Sequence, residues 1–166
     1  FAIGLFTTPC FAETQSTRLD AETGAHTWEI TAQGVHFSLT QILPEQAQAF
    51  YVNRGFTLAQ IAPYTASCVY MTVLRNDKAP GTIHFVSNNW TVLVAGKPHK
   101  LVSVDSWIKQ LSTKDMKPSA LIAFRWAQFP SEHAYETGDW NMGMLSMGRK
   151  PGERFEYSSW TRIATP

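Results

Sequence analysis

The sequence predicts a mainly β protein, an antiparallel β-sandwich of the immunoglobulin-like kind with two short helical insertions. Three observations carry that expectation. The dominant hydrophobic periodicity is two, the period of a strand with one face buried. About seven or eight such runs recur between turn signals, the spacing of sandwich strands. The 166 residues are 44% hydrophobic and include six Trp, ten Phe and five Tyr, enough apolar material for one core.

The elements follow in order. In Val35–Thr40, Val35, Phe37 and Leu39 share one face while His36, Ser38 and Thr40 share the other. Leu43–Gly55 reads as the first helix, with Pro44 suited to the first helical position and Gly55 to the cap. Thr57–Ala62 adds a further helical turn, stopped before Pro63. Cys68–Leu74 is apolar on both faces, as a central covered strand is. Arg75–Gly81 carries turn chemistry, then Thr82–Val86 and Trp90–Val94 read as strands. Ala95–Pro98 joins the latter to His99–Val102 as a hairpin. Asp105–Leu111 is the second helix, with Trp107, Ile108 and Leu111 inward. Strands are expected over Ala120–Trp126, Trp140–Met144 and Phe155–Ile163, the first with Ile122, Phe124 and Trp126 on one side.

Composition excludes several function classes. Lys and Arg total 14 against 13 Asp and Glu, a net charge of +1, so there is no basic excess for nucleic acid. The apolar load and low charge argue against disorder, and no run is long enough for a membrane span. Neither G-x-S-x-G nor H-E-x-x-H nor a phosphate-binding glycine loop occurs. The balance leans away from an enzyme.

Residues 1–12, apolar and ending in Phe11-Ala12 before polar Glu13–Arg18, are expected to be the remnant of a secretory signal peptide cleaved after Ala12. Residues 13–166 are then one domain, exported to the periplasm or secreted. Its single remaining cysteine, Cys68, forms no internal disulfide and is expected to be buried and structural.

Three functional readings follow from the residues left unexplained. The first is a non-catalytic binding or accessory protein that docks a protein partner through Trp140, Trp160 and Arg162, since outward Trp and Arg are typical anchors. The second is a periplasmic copper-binding protein. Met142, Met144 and Met147 form M-x-M-x-x-M, soft thioether donors for Cu(I), with His133 the nearest imidazole. On a strand Met142 and Met144 share a face, while Met147 falls on the other unless Gly143 or Gly148 turns the chain. Copper is the one cofactor this pattern suggests; ordinary core packing of the methionines needs none. The third and weakest is an enzyme with a His/carboxylate site built from Glu132, His133, Glu136 and Asp139.

Overall fold

The structure is a computed structural model and describes residues 14–112 and 115–150, with the backbone of 156–158. The expected signal remnant, residues 1–12, and most of the expected final strand lie outside the described residues.

The chain begins with three antiparallel strands, β1 (Thr14–Leu19), β2 (His26–Ala32) and β3 (Val35–Ile42). Two helices follow, α1 (Pro44–Val52) and α2 (Leu58–Thr65), then the long strand β4 (Val69–Asn76). β5 (Ile83–Val86), a 3-10 turn at Ser87–Asn89, and the hairpin β6 (Thr91–Val94) and β7 (Lys97–Lys100) come next. Helices α3 (Val104–Leu111) and α4 (Pro118–Ala127) precede β8 (Glu132–Tyr135), β9 (Trp140–Ser146) and β10 (Glu156–Ser158). The largest sheet has the order β1-β2-β3-β4-β9 and is antiparallel throughout. β10-β6-β7 and β5-β8 form two smaller antiparallel sheets. The fold is thus mainly β and antiparallel, with four helices among the described residues rather than two.

Period-two patterning gives the large sheet two distinct faces. Phe37, Leu39, Tyr70, Leu74 and Leu145 point one way and join Ile83, Phe85, Trp90, Val92, Phe129 and Tyr135 in a first core. Rings interlock there: Phe85 meets Phe129 edge-on at 5.0 Å, and Trp90 lies 5.2 Å from Phe37. On the opposite face, Val69 and Met144, with Ile42 and Met71 beside them, lie under the helices. Tyr51, Phe56, Ile61, Tyr64, Trp107, Leu111 and Phe124 complete this second core.

The two expected helices form as α1 and α3, and the further turn expected over Thr57–Ala62 is a helix of its own, α2. Pro44 opens α1, and Gly55, at φ +97°, follows its end. α2 starts on a capping box: Thr57 Oγ1 accepts from Gln60 N at 3.2 Å, and Gln60 Oε1 accepts from Thr57 N at 2.8 Å. It does not stop before Pro63, however. The proline is exposed, so only one outward carbonyl loses its helical donor, while Ile61, Tyr64 and Thr65 are buried and hold the turn.

Ala120–Trp126 is helical, which corrects the strand expected there. Pro118 begins the helix, and Ala120 and Phe124, four residues apart, turn into the second core. Ile122 and Trp126, expected to share Phe124's side, instead point outward. β1 was not signalled by apolar alternation, since every one of its residues is exposed and it has no inward side chains to reveal it. β2 does alternate, with Trp28, Ile30 and Ala32 opposite Leu39, Phe37 and Val35, but it was not among the expected strands. Cys68 is half-buried against the first core, less covered than expected.

The crossing from the helical layer to the first core is made at the edge of β9. Phe129 N donates to Met144 O at 2.8 Å, and Gln128 forms an isolated bridge with Met144. Gly143 permits this, since a Cβ there would lie 2.5 Å from Phe129 N and 2.6 Å from the Gln128 carbonyl carbon. At the other end of the sheet, the buried Asn76 ties loops together. Its Nδ2 donates to the carbonyls of Gly81 and Tyr135, both at 3.0 Å, and its Oδ1 accepts from Ala79 N at 2.9 Å.

Candidate docking surface

The helices cover only part of their face of the large sheet. Across β3, β4 and β9 that face presents successive rows: Thr40, Met71 and Met144; then Ser38, Val73 and Met142; then His36, Arg75 and Trp140. Met71 and Met144 of the first row belong to the second core. In the last two rows Ser38 is buried and His36 and Val73 are half-buried, while Arg75, Trp140 and Met142 are exposed, Trp140 at 58% and Met142 at 55%. Large apolar side chains so exposed on a regular strand, next to one another, are the feature that calls for explanation.

Beside Trp140 lies a hollow of about 360 Å³ lined by Val73, Arg75, Asp77, Gly138 and Trp140. Its walls are firmly placed. Arg75 and Trp140 are register partners on β4 and β9. Just beyond the strand, the amides of Asp77 and Lys78 both donate to Gly34 O at 2.9 Å, which docks this segment on the β2–β3 turn. Gly34 is required there, because a Cβ would come within 2.4 Å of the Lys78 backbone. The remaining wall is the turn 136–139. It is closed by Asp139 N donating to Glu136 O at 2.9 Å and Glu136 N donating to Asp139 Oδ2 at 3.0 Å. Gly138, at φ +94°, leaves that wall without a side chain.

Arg75 and Asp77 form a two-pronged pair, Nε to Oδ1 at 3.1 Å and Nη2 to Oδ2 at 2.8 Å. These hydrogen bonds hold the Asp77 carboxyl below its ordinary pKa and raise that of Arg75. The pair remains largely solvated, so its contribution to folding is small. With His36 and Ser38 it edges the apolar side chains Val73, Met142 and Trp140.

A second exposed apolar pair, Ile122 and Trp126, lies on α4, 59% and 85% accessible and one helical turn apart. Trp126 is two residues from Gln128, which bridges Met144, itself two residues from Met142. Chain geometry therefore keeps Trp126 within about 20 Å of Met142, inside the span of one ordinary interface.

The remaining candidate residues separate. Met142 and Met144 share a face as expected, yet Met144 is buried and its Sδ accepts the Tyr51 hydroxyl at 3.2 Å. Met147 is buried in the first core on the other side of the sheet. The three sulfurs do not converge. His133 stands exposed on β8, in a different sheet, edge-on to Tyr135 at 4.6 Å. Of the carboxylates, Glu136 accepts from Thr82 Oγ1 at 2.9 Å and Asp139 is spent on its own turn. Glu132 and His133 are successive strand residues and point to opposite sides. Among the described residues, no group of three or more His, Cys, Asp or Glu is placed to hold a metal ion. Trp160 and Arg162 lie outside the described residues.

Val73, Arg75, Asp77, Ile122 and Trp126 were not singled out by the sequence. For Ile122 and Trp126 the signal was present as an i, i+4 pair once the segment is read as a helix. No family model matches this chain, and searches of curated proteins and of solved structures find no similar one.

Proposed function

We propose that the protein is an exported, non-catalytic β-sandwich-type binding or accessory module that docks a protein partner on the uncovered rows of its large sheet. The observation that carries this reading is the adjacent exposure of Trp140 and Met142 beside a hollow with an Arg75–Asp77 rim. An apolar centre containing Trp and Met, edged by polar groups, has the make-up of an interface core and rim. Covering the exposed halves of the two side chains would release about 2 kcal/mol of transfer free energy. The His/carboxylate reading has less to draw on, since Glu136 and Asp139 are hydrogen-bonded to Thr82 and to their own turn and Glu132 points to the opposite side of β8 from His133.

A sandwich architecture is part of this proposal, supported by the first core, which unites residues of the large sheet with those of both smaller sheets. Export rests on the character of residues 1–12. A copper-binding reading has one exposed thioether, Met142, to draw on, and docking is the better supported of the two.

The test is a photo-crosslinking side chain at position 140, introduced in the producing cell, with Leu58 as an equally exposed control site on α2. A discrete protein adduct at 140 and none at 58 is expected. Equal, diffuse labelling at both positions would overturn the docking reading.

A further inference from the structure

We propose that the partner is a second copy of this chain, joined through a two-fold contact centred on the Trp140 hollow. This rests on the docking reading and adds to it the identity of the occupant. A two-fold interface brings the same patch against itself, so the patch must be self-complementary: a projection beside a recess, and a charge beside its opposite. This surface meets both conditions.

Trp140 is more than half exposed and stands on the wall of the hollow it helps to line. A half-turn about an axis between them sets each indole over the other copy's hollow. At about 360 Å³ the hollow falls at the small end of pockets that accept compact ring systems. The charges repeat the arrangement. Arg75 and Asp77 lie side by side in one pair, and the same half-turn places Arg75 of each copy opposite Asp77 of the other. Four charges then alternate around the axis, each guanidinium keeping its own carboxylate and gaining a second. Val73 and Met142, one row along the sheet, supply apolar contact between the copies. With a net charge of only +1 the copies do not repel one another at long range.

Sedimentation velocity of the full chain, from about 1 to about 200 µM, reads the equilibrium directly. A concentration-dependent monomer–dimer exchange is expected. Arg75→Asp and Asp77→Arg are each expected to be monomeric over that range, because each sets like charges against like. Mixed in equal amounts, the two variants should dimerise again, since each 75–77 contact between the copies is then between opposite charges. Restoration on mixing cannot arise from a folding defect, which makes it the deciding result. Trp140→Ala is expected to weaken the dimer at least tenfold. A wild-type chain that stays monomeric throughout would overturn the proposal, and so would single charge variants that dimerise as well as wild type. If the chain is monomeric while the crosslinker at 140 captures a different protein, the second-copy assignment fails and the docking reading stands; with neither dimer nor adduct, both fail.

Discussion

Gln128→Met tests how the helical layer is locked to β9, the strand that carries Trp140 and Met142. Gln128 sits where α4 ends, and its amide is fully engaged in the interior. Nε2 donates to Tyr51 Oη at 2.8 Å and to the Phe124 carbonyl at 3.3 Å, and Oε1 accepts from Tyr64 Oη at 3.0 Å. Tyr51 passes the network on to Met144 Sδ. The methionine replacement keeps approximate volume and removes every polar atom. The buried Tyr64 hydroxyl then loses its amide acceptor and has only the neighbouring Tyr51 hydroxyl left, at a cost of about 1–3 kcal/mol. Loss of donors to Tyr51 and to the helix-terminal carbonyl adds about 1 kcal/mol, for a total near 3 kcal/mol. Tyr64→Phe alone should cost about 1–2 kcal/mol. The double variant should cost less than the sum of the two, by about 1–2 kcal/mol, because the Tyr64 hydroxyl is no longer present to lose its Gln128 acceptor. Urea unfolding followed by tryptophan fluorescence supplies all three values. A Gln128→Met loss below about 1 kcal/mol, or strict additivity in the double variant, would refute this account of the network.

Three further outcomes are expected. Gly143→Ala pushes a Cβ into the Gln128–Phe129 backbone and should cost about 1–3 kcal/mol in the same urea experiment; an unchanged midpoint would show that the chain can cross β9 elsewhere. The Asp77 carboxyl, followed by NMR, should titrate below the ordinary value near 3.9 and move up towards it in Arg75→Ala. Since a carboxyl with a lowered folded pKa stabilises above its unfolded value, the small stabilisation from this pair should fade only as pH falls below about 4. Burial raises the hydroxyl pKa values of Tyr51 and Tyr64, so both should remain neutral past pH 10 and ionise only as the protein unfolds in alkali; reversible tyrosinate absorbance from either in the folded protein would contradict their placement.

Much of the fold was legible wherever local chemistry and burial agree. Pro44 and Gly55 bracket α1, and Trp107, Ile108 and Leu111 mark the inward side of α3. The alternation over Val35–Thr40 sorts the two faces of β3 correctly. α4 was misread because Ile122, Phe124 and Trp126 alternate, whereas only Phe124 is buried; helix and strand periods are hard to separate in so short an apolar run. β1 left no trace because pairing at a sheet edge is a backbone matter, and its side chains stay in water. Trp140 and Met142 stood out as residues in excess of what the core uses. Val73, Arg75 and Asp77 did not, since an outward strand residue becomes part of a site only through what the rest of the chain leaves uncovered.

On the docking reading, the uncovered rows around Trp140 are occupied when the protein is at work. Hydroxyl-radical footprinting reads this occupancy by comparing the protein in its producing cells with the dilute purified chain. Leu19 and Leu58, similarly exposed but elsewhere on the molecule, serve as internal references. Labelling of Trp140 and Met142 is expected to fall several-fold in the cell while that of Leu19 and Leu58 is unchanged. Equal labelling of Trp140 and Met142 in both settings would contradict it.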